Sequence, residues 1–166
     1  MTKDTLFTTL YQNPRSDTNI FFESNHSFAM LSVTPATPGH FLLIPKKPVV
    51  VLDELMDAEI SSFIRDRALA QRALIDEFDS LHLDSFYNGI AVSPPKFIDP
   101  VNARCMDNHR FLHEAPADYN IFVNCGPGSG QIIPHYHEHH IPRRLEEQGR
   151  GGAVKAATLL VNGENL

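Results

Sequence analysis

Four of the nine histidines in this 166-residue chain, His135, His137, His139 and His140, fall within six consecutive residues. Random placement of nine histidines would produce the spacing H-x-H-x-H in only about three such chains in a hundred, so accident explains it poorly. On an extended strand alternate side chains share a face. His135, His137 and His139 then point one way, and Tyr136, Glu138 and His140 the other. Burying three imidazoles without partners costs stability, so packing alone does not account for them. Two chemistries compete. Three histidines and a water make a common zinc shell, but alternate strand positions lie roughly 6–7 Å apart and suit two ligands better than three. Alternatively, one imidazole is a nucleophile. Its unperturbed pKa of about 6.5 leaves it mostly neutral at pH 7, and its neighbours orient it and move protons.

The residues ahead of the cluster favour the nucleophile. Asn124-Cys125-Gly126-Pro127-Gly128-Ser129-Gly130-Gln131 is a glycine-rich turn whose backbone N–H groups can approach an anion closely. Asn124 and Gln131 add amide donors suited to phosphate or ribose oxygens. No Gly-Lys-Ser/Thr follows, so this is not a Walker loop. Cys125 reads as a small packed residue and His26 as a surface one. Cys105, Asp107, His109 and His113 have spacings that would serve a metal, with Glu138 and His140 facing them, but an ordinary polar surface loop explains them more simply. Lys46-Lys47 and Arg143-Arg144 would attract a polyphosphate tail, although solvated cations at strand ends are commoner.

The elements that must hold these residues are mostly strands. Residues 19–23 and 27–33 are apolar runs around the turn at 24–26, and 41–44 (FLLI) reads as a strand buried on both faces. From 57 to 79, Ile60, Phe63, Ile64, Ala70, Ala73, Leu74 and Phe78 recur at helical spacing. Arg65, Asp66, Arg72 and Asp76 fall opposite, with Asp57 as N-cap and Glu59 in the first turn. Residues 85–92 (SFYNGIAV) and 119–123 read as strands, and 135–141 as another ended by Pro142. Residues 93–114 form an irregular insertion, and the tail is basic and glycine-rich at 143–152, then helix-like through 153–161.

Composition bounds the setting. Twenty acidic residues against 14 basic ones give a net charge of -6, which argues against a duplex-binding module but not against one phosphorylated ligand. Two cysteines suit a reducing compartment. The opening lacks a signal-peptide pattern, and no apolar run approaches the roughly 20 residues needed to span a membrane. A single cytoplasmic domain over 1–166, with no membrane or nucleic-acid partner, is the expectation.

The motif His135-Tyr136-His137-Glu138-His139-His140-Ile141, preceded by Asn124 and Gly130-Gln131, resembles the histidine triad superfamily of nucleotide hydrolases and transferases. A second block, LSVTPATPGHFLLIPKK at 31–47, matches in the right order. The ending IPRR is nearer the fragile-histidine-triad-like and prokaryotic branches. The resemblance implies an α+β fold, an antiparallel sheet of about five strands with packed helices, usually as a homodimer. It implies cleavage at the α-phosphorus of a dinucleoside polyphosphate or nucleoside phosphoramidate through a nucleotidyl-histidine, with no metal and no cofactor. His137 would be the nucleophile, and His139 and His135 would orient it and help protonate the leaving group, supported by His40. Asn124, Gly130 and Gln131 would hold phosphate, while Phe22, Phe28 and Leu31 would wall the base pocket. Ser32 stands where the family usually carries a ribose-binding Asp or Asn, and Ile132 replaces a hydroxyl residue. Glu138 and His140 replace apolar residues, and the N-terminal zinc-binding Cys pairs of some members are missing. A binding or sensing protein with little turnover is the alternative, and a metal-dependent hydrolase another.

Overall fold

Five antiparallel strands in the order β1-β2-β3-β5-β4 form one sheet. They are β1 (Ile20–Glu23), β2 (Ser27–Leu31), β3 (Phe41–Pro45), β4 (Asp118–Val123) and β5 (Glu138–Arg143). Three helices, α1 (Leu6–Gln12), α2 (Asp57–Asp76) and α3 (Leu83–Val92), complete the expected α+β architecture. The computed structural model describes residues 4–13, 19–92, 106 and 109–147. The cysteine and aspartate at 105 and 107, most of the insertion and the tail beyond 147 lie outside them.

Both faces of the sheet are covered, which is why β2 is buried at every position. Ala29, Leu31, Phe41 and Leu43 pack under Phe63, Ala70 and Leu74 of α2 and under Leu83, Tyr87 and Ile90 of α3. On the other face Phe28, Met30 and Ile44 pack under Phe7 and Leu10 of α1. The uniformly apolar run at 41–44 thus serves two cores, as a strand buried on both sides must.

Several expectations need correction. Residues 85–92 are helical, not extended: Leu83, Tyr87 and Ile90 bury one helical stripe, and Gly89 lies on the exposed side. The long helix begins with Met56 as N-cap, whose N–H donates to Glu59 Oε2 at 2.8 Å, so Asp57 is its first helical residue. Asp66 faces inward and accepts from Ser24 and Ser27 Oγ, each at 2.5 Å. The histidine strand starts at Glu138, not His135, and passes through Pro142. β3 pairs only with Glu138 to His140, so Pro142 lies where β5 has no neighbour on that side and needs no ladder donor.

Candidate active site

Residues 135–137 are pinned to the segment after β3 although they form no ladder there. Tyr136 N–H donates to the Val49 carbonyl at 2.6 Å, and His135 Nε2 lies 2.7 Å from the Pro45 carbonyl. A carbonyl only accepts, so His135 carries its proton on Nε2. Its Nδ1 then accepts from Thr5 Oγ1 at 2.7 Å. Thr5 is the N-cap of α1 and also accepts from Thr8 N–H. Both ring nitrogens of His135 are therefore committed, and what His135 presents to the next histidine is its backbone. His137 Nδ1 lies 2.8 Å from the His135 carbonyl. That bond fixes the proton on Nδ1 and leaves the Nε2 lone pair of His137 exposed to chemistry.

His139 has the opposite tautomer. Ala36 N–H donates to His40 Nδ1 at 3.0 Å, so His40 carries its proton on Nε2 and donates to His139 Nδ1 at 3.2 Å. The remaining polar group of His139 is an Nε2–H donor. Its ring centroid is 5.0 Å from that of His137. An acceptor and a donor thus stand side by side, which is the pairing a displacement at phosphorus needs. Burial holds the pKa of His137 below the ordinary imidazole range, against the His135 hydrogen bond that raises it. Burial, and then the repulsion a second proton would meet beside the His137 and His140 rings, pushes His139 down to about 3. Both are neutral at pH 7. The Phe7 ring packs edge-on against His137, with centroids 5.0 Å apart, and supplies part of that desolvation.

The HIT domain family matches residues 13–146. The chain belongs to it. It is 26% identical over 131 residues to the nitrilase and fragile histidine triad fusion protein of Caenorhabditis elegans, covering 79% of this chain and 22% of that protein. It is 27% identical over 127 residues to the bis(5'-adenosyl)-triphosphatase of Saccharomyces cerevisiae, covering 75% and 43%. An uncharacterised HIT-like protein of Methanocaldococcus jannaschii is 26% identical over 136 residues, with 82% of this chain and 74% of that protein covered. The chain therefore spans less than half the length of two of these relatives. A solved HIT family protein from Bacillus subtilis superposes with a TM-score of 0.57 over 99% of both chains at 18% identity, a likeness of fold.

In this HIT domain the remaining expected site residues divide by face. Ser32 and Phe28 lie on the histidine side, but each is occupied. Ser32 Oγ accepts from Thr34 N–H at 3.3 Å, and Phe28 is buried and stacked on Tyr11. Phe22 and Leu31 are not brought to the histidines. Phe22 pairs with Ala29, so both it and Leu31 pack in the α2-side core. Asn124 follows β4 half-buried, on the face of Phe122, whose strand partner is His139. Gly130 adopts φ +87° and closes the loop, letting Gln131 fold back. Gln131 Oε1 accepts from Gly126 N–H at 2.7 Å, and its Nε2 donates to the Val50 carbonyl at 3.2 Å. Gln131 thus shapes the loop rather than reaching out of it. Cys125 is exposed, not packed.

Three further expectations change. Arg144 is neither solvated nor aimed at a ligand. It is buried and donates to the Pro38, Phe111 and Glu114 carbonyls and to Thr37 Oγ1, bracing the turn that presents His40. In that turn Gly39 has φ +83°, and an added Cβ would lie 3.3 Å from Phe78, so only glycine fits. Lys46 and Lys47 pair with Glu23 and Glu59. Glu138 and His140 bond to Arg67 and Gln71 of α2, and His113 is exposed. Thr5 and Phe7 were not anticipated, although Thr-x-x-Thr followed by Leu10 and Tyr11 is a capped amphipathic turn. No described helix is long and apolar enough to cross a membrane.

Proposed function

We propose that this HIT domain is a nucleotide hydrolase or nucleotidyl transferase that works through His137. The observation that carries the reading is the 2.8 Å bond from His137 Nδ1 to the His135 carbonyl, which leaves Nε2 as a neutral, aimed nucleophile. His137 Nε2 attacks the α-phosphorus, and the bond from phosphorus to the leaving group breaks as the P–N bond forms. His139 Nε2–H is the donor beside it for the departing atom. Water then attacks the nucleotidyl-histidine, releasing a nucleoside monophosphate and restoring the imidazole. Loop N–H groups and Asn124 would meet the charge on the phosphoryl oxygens. A dinucleoside polyphosphate or a nucleoside phosphoramidate is the substrate class. The name of the yeast relative supports the first of these.

A homodimer belongs to the same reading. β4 ends the sheet, its Ile121 is 38% exposed, and the buried Asn120 Oδ1 is without a hydrogen-bond partner among the described residues. Light scattering should return about twice 18.6 kDa. The function is tested by turnover of a fluorescent adenosine phosphoramidate and of diadenosine triphosphate before and after prolonged EDTA treatment. Hydrolysis that survives the chelator is expected. Activity lost with the metal and restored by zinc would replace the nucleophile with a metal-dependent hydrolase.

A further inference from the structure

Behind the site histidines lies a charged cluster that the proposed reaction does not use. Glu138 follows His137 directly and precedes His139, and it is 1% exposed on the opposite face of β5. Arg67 of α2 grips it with two parallel bonds, Nε to Oε2 at 2.8 Å and Nη2 to Oε1 at 2.5 Å. Tyr136 Oη donates to Oε1 at 3.2 Å, and His140 Nε2 donates to Oε2 at 3.3 Å. Gln71 of α2 bonds His140 Nδ1 at 3.1 Å. Both carboxylate oxygens are engaged, from α2, from His140 of β5 and from Tyr136 just ahead of that strand.

Such a pair seldom adds stability over an apolar replacement, because two charges must be desolvated. Its best-attested use is to choose between competing arrangements, and β5 has a competing arrangement built into its sequence. A one-residue slip sends every side chain to the other face. In most strands hydrophobic patterning forbids this, but here imidazoles occupy both faces: His137 and His139 on one, His140 on the other. A slip would exchange His139 for His140, an imidazole for an imidazole, and would carry Glu138 into the place of His137 on the neutral face. The ladder to β3 has only three residue pairs to resist it, and β4, paired to β5 over six residues, ends the sheet and can shift with β5. Hydrophobicity pins this strand at Ile141, packed with Ala36 and Phe122, and charge discriminates at the histidines, since Glu138 has its counter-ion on the α2 side.

We propose that the Arg67–Glu138 pair is the key that sets the facing and register of β5, making Arg67 a positioning residue for His137 and His139. The catalytic consequence rests on the function proposed above. The register claim does not. The test is the full chain carrying Arg67→Met and Glu138→Leu together, which removes both charges and keeps the volume. In long-range ¹H–¹⁵N spectra of histidine-labelled protein, the parent should give one set of imidazole signals per residue. The double variant should unfold cooperatively near the parental temperature and yet give two sets for His139 and His140. Its kcat should fall by about twofold to tenfold, in step with the fraction of molecules in the second set, with KM far less affected. Arg67→Lys keeps the charge but loses the two-pronged grip, so it should show a smaller second set and a smaller fall in kcat. Single spectra and parental kcat in the double variant, or in Arg67→Lys should the double variant not fold, would overturn the proposal. A parent that turns over no nucleotide would defeat the functional reading alone, because the spectra still report the register.

Discussion

The two faces of β5 meet opposite requirements with the same residue type. On the face toward α1, every imidazole is neutral. His137 is held by a backbone carbonyl, His135 by Thr5 and a carbonyl, and His139 by His40. On the face toward α2, full charge is kept and cancelled. Burial raises the pKa of Glu138, but the bonds from His140 and Arg67 outweigh it and leave the carboxylate ionised. A nucleophile needs a lone pair, so its partners must bind the other nitrogen without adding charge. A clamp needs strong, directional bonds, and ion pairs supply them. The difference teaches that histidine content alone does not mark a catalytic face. The partners of each ring do.

The largest way to break this comparison is at the lone pair. His137→Asn should cost turnover about 10⁴-fold or more while AMP binding by calorimetry changes little, as removal of a nucleophile does elsewhere. His139→Asn should cost less, about 10²–10⁴-fold, because it moves a proton and does not form the bond. Equal losses would erase the distinction drawn between the two tautomers. On the other face, Arg67→Met alone strips a buried carboxylate of its counter-ion and leaves it only the bonds from Tyr136 and His140. We expect a loss of about 3 kcal/mol in denaturant unfolding, at the low end of the range for such breaks because Arg67 is partly exposed. Adding Glu138→Leu should recover most of it.

The neutral face also predicts a sign with pH. Burial depresses the pKa of His137, and that of His139 to about 3, below the value of about 6.5 in the unfolded chain. The unfolded state therefore binds these protons first. The stability these groups contribute is present above about pH 6.5 and is lost as pH falls toward their folded values. By the same shift, the acid limb of kcat/KM should lie below pH 6.5, and a limb at or above that value would contradict the buried, neutral His137. The smallest effect is expected at the latch of α1. Thr5→Ala removes a helix cap and the bond to His135, and should cost about 1 kcal/mol, largely restored by Thr5→Ser.

Much of this site was legible because strand alternation needs no tertiary information. The division of Tyr136, Glu138 and His140 from His137 and His139 holds even though the ladder begins only at Glu138. The apolar run at 41–44 and the periodicity after Asp57 were similarly plain. Residues 85–92 misled because a short apolar run with one glycine fits either period, and only the burial of Leu83, Tyr87 and Ile90 decides. Phe22 and Leu31, unlike Phe28, lie away from the histidines for another reason. Which face Phe22 and Leu31 take depends on pairing with Ala29 and on helices packed from afar. Nor does local pattern reveal that Arg67, 71 positions away, would meet Glu138. Long-range pairing of charge is invisible until the helix is laid on the sheet.

The central claim is that His137, and no other imidazole, makes the bond to phosphorus. It is tested most directly by mixing the protein with α-labelled nucleotide substrate, quenching in alkali where a P–N bond survives, and mapping the label. The account predicts a base-stable, acid-labile label on the peptide containing His137, absent from His137→Asn and present in His139→Asn. Label retained in His137→Asn, or carried by His140, would contradict it.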